Sequence, residues 1–430
     1  MKKTKKTKPW TVSKLPNGLR YMFISRPEMM SATAMVLVGT GSEYESKKQN
    51  GLAHFLEHMC FKGTIKRPNS LIISKEFEIL GAQYNAFTSG EYTGYYGKGQ
   101  SSDTGLLLDI CADIFLNSTF PESEIEKEKG VVIEEINMYE DDPQSKVGLL
   151  IDELMYGDQP GGRQIIGTKE TVSSFTRQDI LNYHQNNYTP DNTLVVVAGG
   201  FDENKIEAQI KKTFGKMIKK TPPVQSKTIV NQKEPAIKIF NKKSEQTHII
   251  LSFHAYDRFD LNKRPLKMLA NILGRGMASR LFHLLREKLG VCYYVSASSG
   301  SGKDTGYFSI RAGLANDKVI VTLTEIVKEL KKIKKELVPL EEINRVKKSI
   351  TAGSRISLET SDSYADYFGF QELFGMKIEE VQDSVKKYQK ISREEVRKIA
   401  REILVPKKAN LAIVGPHENQ DELLKILKNL

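Results

Sequence analysis

Along this chain, short runs of apolar residues alternate with stretches in which apolar residues recur every three or four positions, the periods of strand and helix respectively. ATAMVLVG, HIILSFHA and YFSIRAGL read as strands, whereas RQDILNYHQNNY, ENKIEAQIKKTF and REEVRKIAREIL carry the amphipathic helical pattern. The two kinds of segment do not follow a strict strand-helix rhythm. The pattern therefore predicts an α+β fold, a mainly antiparallel sheet with helices packed on one face.

One stretch of this pattern occurs twice. From Thr176 to Phe214 a helix, a Pro-containing turn, an apolar strand (TLVVVAGG) and a charged amphipathic helix follow one another. From Ser392 the same order returns, with LAIVG as the strand and DELLKILKNL as the last helix. Matching Leu194 to Leu411 gives an offset of 217 residues (411 − 194), about half the chain. Two similar domains are implied, 1–218 and 235–430, joined by a Lys-, Pro- and polar-rich linker at 219–234.

The bulk numbers agree. At 430 residues the chain exceeds the size at which one core stops growing. Its 39% apolar and 27% charged content excludes a disordered or fibrous class. The net charge of +11 is spread over many helix faces, and no nucleic-acid reading module or stacking pattern accompanies it, so no specific nucleic-acid partner is expected. Cys60, Cys111 and Cys292 form no CxxC pair, which argues against a disulfide framework or a thiolate metal site. The basic start MKKTKKTKPW is not followed by an apolar signal core, and no run of about 18 apolar residues occurs, so a cytoplasmic protein without a membrane span is expected.

Candidate chemistry begins at HFLEH, His54 to His58. Asn50 is placed to cap the helix start, and Lys62 with Gly63 suits its end. At 3.6 residues per turn His54 and His58 share a face, and Glu57 lies beside them. Two imidazoles are one ligand short of a catalytic zinc site, which takes three protein ligands and leaves a fourth position for water. A second helix, within PESEIEKEKGVVIEEINMYEDDP, has an apolar stripe of Ile125, Val132, Ile136 and Tyr139, and Glu128 and Glu135 fall on that same side. Glutamates on an inward face need a partner. Glu135 can supply the missing ligand to one Zn2+ per chain, and Glu128, two turns earlier, can orient a histidine from behind. Glu134 points about 100° away. The other histidines, His184, His248, His254, His283 and His417, have no partner at ligand spacing and read as structural or surface residues.

With these residues in place, the chain resembles the inverted-motif zinc peptidases, the family of pitrilysin, insulin-degrading enzyme and the mitochondrial processing peptidase. Glu135 lies 77 residues beyond His58 (135 − 58), and the phrases LPNGLRYMFI, GSEYE, AHFLEHMCFKGT, NAFTSGEYTGYY and GRQIIGT are similar to the family's. The resemblance implies a metalloendopeptidase that cleaves peptides or unfolded segments in a closed chamber, with Glu57 as general base. It implies a second domain without metal that lends an Arg and a Tyr, mapped through LREKLGVCYYV to Arg286 and Tyr293, with Tyr294 as the neighbouring alternative. It makes Asn85, Ala86 and Phe87 substrate-contacting residues on a sheet edge. A member of this length closes its chamber with a second subunit, and because both the metal residues and the Arg-Tyr pair are present, a homodimer is expected. The alternatives are a heterodimer with a paralogue, this chain being its partner-dependent subunit, and a non-enzymatic assembly protein of the same fold.

Overall fold

The computed structural model describes residues 8–430; the basic opening, 1–7, lies outside the described residues. Two sheets organise the chain. The first contains β1 (Thr11–Lys14), β2 (Arg20–Ser25), β3 (Ser31–Val38), β4 (Gln83–Thr88), β5 (Thr93–Gln100) and β6 (Thr193–Gly199), in the order β1-β2-β6-β3-β5-β4. The second contains β7 (Ala236–Asn241), β8 (Gln246–His254), β9 (Cys292–Ser301), β10 (Gly306–Ala315) and β11 (Ala409–Gly415), in the order β7-β11-β8-β10-β9. In each sheet one pair is parallel, β2 with β6 and β7 with β11, and every other pair is antiparallel. Setting β1 aside, the two orders correspond strand for strand, so the repeat read from the sequence is a repeat of sheet topology, and the fold is α+β.

β6 and β11 are buried at every position, because helices cover both faces of each sheet. In the second sheet most helices lie on one face. Leu251, Phe253, Phe308, Ile310, Leu411 and Ile413 pack there with residues of helices Lys263–Gly274, Val319–Lys335 and Arg393–Ile403. The opposite face, with Ile250, Ala412 and Val414, is covered by a single helix, Pro143–Tyr156, through Val147, Leu150, Ile151 and Met155. In the first sheet the matching face carries Met22, Ile24, Met35, Leu37, Leu194, Val196 and Ala198, and helix Ser361–Leu373 covers it through Ala365 and Phe368. Each covering helix comes from the other half of the sequence. The compact units are accordingly interleaved: one comprises the chain up to Glu134, Gln164–Ser226 and Arg355–Glu379, the other Glu135–Arg163, Lys227–Ser354 and Glu380–Leu430.

The repeat offset is corrected by one residue. β6 and β11 begin 216 residues apart (409 − 193) and end 216 apart (415 − 199). Leu194 faces the helix borrowed from the other half, whereas Leu411 faces the main helical layer. Side chains alternate faces with a period of two, so matching Leu to Leu pairs residues from opposite faces.

The three cysteines are free and buried. Among the described residues no helix is long and apolar enough to cross a membrane.

Candidate metal centre

The HFLEH segment lies in helix Leu52–Cys60, which buries Leu52, Phe55, Leu56 and Met59 and leaves His54, Glu57 and His58 on the half-buried side. Its start is not capped by Asn50, whose amide instead donates to the Gln164 carbonyl at 2.8 Å. The buried carboxylate of Glu45, from the GSEYE phrase, accepts the N–H groups of Gly51 (2.8 Å) and Ala53 (2.6 Å). It thereby satisfies helix N–H groups that lack an intrahelical partner and sets a negative charge on the positive end of the helix dipole. Gly51 has φ 97°, and a Cβ there would sit 2.6 Å from the Ile166 carbonyl oxygen. Only glycine allows the GRQIIGT phrase to lie so close to the start of this helix.

The rings of His54 and His58 have centroids 4.6 Å apart. Burial, reinforced by His58, pushes the His54 imidazole down to about 3, so it is neutral through the physiological range, the form in which imidazole binds a metal. His58 Nδ1 contacts Glu128 Oε1 at 2.8 Å, so Nε2 is the nitrogen that would meet a metal. Lys62 Nζ reaches the other oxygen of Glu128 at 2.5 Å. Burial alone would raise the Glu128 carboxyl, but the hydrogen bonds to His58 and Lys62 outweigh it and hold Glu128 below the usual range.

Glu128 and Glu135 are carried by one uninterrupted helix, Glu122–Asp141, whose buried stripe includes Ile125, Val132 and Ile136. Seven residues are close to two turns, so both carboxylates face the same way. Glu134 is exposed. Ligand atoms of His54, His58 and Glu135 all lie within 4.8 Å of one another, and among the described residues no other group of His, Cys, Asp and Glu side chains is so arranged. Two imidazoles and one carboxylate, close enough for small side-chain rotations to bring them onto one ion, form a donor set that suits zinc. Tyr139, one turn beyond Glu135, hydrogen-bonds its carboxylate. Its i+4 spacing was visible in the sequence, but the residue reads there simply as part of the apolar stripe.

Glu57 accepts a 2.5 Å hydrogen bond from Thr88 Oγ1. Thr88 ends β4, the last strand of its sheet, which pairs on one side only with β5. Asn85, Ala86 and Phe87 lie on this strand, and Asn85 Oδ1 accepts the Ala86 N–H at 2.9 Å. In the second unit, Arg286 sits in a π-helical turn, Phe282–Lys288, and donates to the backbone carbonyl of Tyr293. The Tyr293 side chain is exposed, whereas the Tyr294 hydroxyl is engaged with His248 Nδ1 at 2.9 Å. His184, His254 and His417 hydrogen-bond the Phe115 carbonyl, Gln232 and Thr247 respectively, as structural histidines do.

Two matching sheets joined in one α+β chain, with an HxxEH helix and a distant glutamate converging on one point, define a class of metallopeptidase-type folds. Residues 20–169 match the family described as Insulinase (Peptidase family M16), and residues 174–350 match the Peptidase M16 inactive domain. An uncharacterized zinc protease of Bacillus subtilis, YmxG, is 34% identical, with 94% of this chain and 97% of that one covered. An uncharacterized zinc protease of Mycobacterium leprae is 32% identical, covering 96% and 93%. A protease from Helicobacter pylori of known crystal structure superimposes with a TM-score of 0.89 at 22% identity, over 95% of this chain and 99% of that one, and so shares the fold. The chain belongs to peptidase family M16, the pitrilysin-like insulinase family.

Proposed function

We propose that this chain is a zinc-dependent endopeptidase acting on peptides or unfolded segments, with Glu57 as its general base. The observation that carries the reading is the convergence of His54, His58 and Glu135 beside a Glu57 that Thr88 ties to the end of an edge strand. Zinc held by those three residues would polarise a scissile carbonyl and bring the pKa of water from about 16 toward about 7. Glu57 takes the proton of the attacking water and returns it to the leaving amine. Thr88 fixes the carboxylate for that transfer, and Glu128 fixes the His58 ring. An extended peptide pairs with the open edge of β4, where Asn85, Ala86 and Phe87 contact it. Arg286 and Tyr293, assigned through the family resemblance, are the donors to the developing oxyanion.

Because the chain carries both the metal-binding residues and the Arg-Tyr pair, we read the assembly as a homodimer enclosing a chamber. The free, buried cysteines favour the cytoplasm.

The test is cleavage of a quenched-fluorescent peptide library by the purified chain, by chelated chain with zinc restored, and by Glu57→Gln. Activity should vanish with chelator, return with zinc, and fall by about 10²–10⁴-fold in the variant while its zinc stays bound. Full activity in zinc-loaded Glu57→Gln would overturn the mechanism. Bound zinc without cleavage by any form would point to a subunit that needs a paralogous partner, and no bound zinc to a non-enzymatic role.

A further inference from the structure

Away from the metal cluster, the second sheet changes character across one face. Beneath helix Pro143–Tyr156 that face is apolar, with Ile250, Ala412 and Val414. Beyond β8 it turns polar. Ser252, Ser309 and Ser298 form one row across β8, β10 and β9, and Ile250, Arg311 and Ser296 form the adjacent row. Ser252 is fully buried and hydrogen-bonds Ser309. The fold does not require such a floor. The corresponding face of the first sheet carries Phe87 and Tyr96, which pack with the apolar residues of β2, β3 and β6.

This floor and the covering helix enclose a recess of about 410 Å³. Arg311 enters it from the sheet and Asp152 from the helix. Arg311 acts on Asp152 through space, without a side-chain hydrogen bond between the two. Water reaches Asp152, but burial by the surrounding walls pushes its carboxyl up to about 6 while Arg311 pulls the other way, so at pH 7.5 it is mostly ionised. The guanidinium lies against the helix at Gly148, where a Cβ would be in ordinary contact, 3.5 Å from Arg311 Nη2. Two opposite charges thus line one recess of small-molecule size together with a row of hydroxyls.

We infer that this recess is a binding site for a small zwitterion of dipeptide size, its carboxylate held by Arg311 and the serine hydroxyls and its ammonium by Asp152. A guanidinium is suited to a planar carboxylate, which it can engage through two parallel N–H bonds. A simple anion would leave Asp152 repelling it, and a simple cation would leave Arg311 doing so. A dipolar ligand satisfies both groups at once. The site is independent of whether the chain cleaves peptides.

Calorimetric titration of the full chain at pH 7.5 with Ala-Ala, N-acetyl-Ala-Ala and Ala-Ala-amide tests it. Ala-Ala should bind saturably, and each blocked form at least tenfold more weakly. Arg311→Met, Asp152→Asn and Gly148→Leu, the last filling the recess, should each weaken Ala-Ala at least tenfold while peptide cleavage or metal content, whichever the wild type shows, stays unchanged. No saturable binding of Ala-Ala, or binding that survives Arg311→Met and Gly148→Leu, overturns the assignment. Equal binding of Ala-Ala and its acetylated form would mark a simple anion site and overturn it as well. Binding that behaves as expected in a chain that cleaves nothing would count against the peptidase reading alone.

Discussion

Glu128 is not one of the three residues that converge as metal ligands, yet through His58 it sets the orientation of one. Replacing it with Gln keeps the shape but removes the charge that holds His58 Nδ1–H, and metal affinity should fall about 10–100-fold, measured by competition with a chromophoric chelator. A second residue-scale prediction concerns acid. Burial, helped by Lys408, lowers the His254 imidazole to about 4, against about 6.5 in the unfolded chain. The unfolded state therefore binds the proton first. Stability is fully present above about pH 6.5 and declines as pH falls from there toward 4, by on the order of 2 kcal/mol for this residue. Urea unfolding across that window should show a shallower pH dependence in His254→Gln than in the wild type; equal slopes would count against it. Much of the candidate site was legible in the sequence, because His54, Glu57, His58, Glu128 and Glu135 all sit at helical spacing. Glu45 was not, since its carboxylate reaches the helix from a preceding loop and no periodicity marks it. Thr88 was hidden for a similar reason, as its bond to Glu57 spans 31 residues. Arg311 and Asp152 are 159 positions apart (311 − 152), and nothing in either local pattern announces the other.

At the scale of elements, the strands and most helices follow directly from their periods. What periodicity leaves open is the destination of an amphipathic helix. Ser361–Leu373 and Pro143–Tyr156 each bury apolar residues, but their local pattern does not say which sheet they cover, and each covers the sheet built from the other half of the chain. The same blindness to faces produced the offset of 217 in place of 216: residue identity matched, and side-chain direction did not. The borrowed helix on the first sheet can be probed through the chain's single tryptophan, because Trp10 stacks on Phe368 with ring centroids 5.0 Å apart. Phe368 is 2% exposed. Phe368→Ala should cost about 3–5 kcal/mol in denaturant unfolding and shift Trp10 emission to the red as water reaches the indole. Unchanged emission would mean that the helix does not rest on this face in solution.

For the whole molecule, a metal that binds the native chain alone stabilises it by mass action, about 2.7 kcal/mol when the free ion is at 100 times its Kd. Chelation should therefore lower the thermal midpoint of the wild type by a few degrees. In Glu135→Gln the midpoint should barely respond to chelator, and an equal response in both would detach the effect from this cluster. The exchange of helices between the halves also bears on how the protein is made. The last strand of the first sheet ends at Gly199, but the helix that covers its far face ends at Leu373, so 174 residues (373 − 199) must be added before that face can close. At about 5–20 residues per second, a ribosome takes roughly 9–35 s to add them. For that interval the nascent chain presents Met22, Ile24, Met35 and Leu37 as an uncovered apolar surface. Synthesis of this protein thus contains a built-in waiting period in which a holding chaperone, or slow and dilute production, decides how many chains survive to complete the first unit.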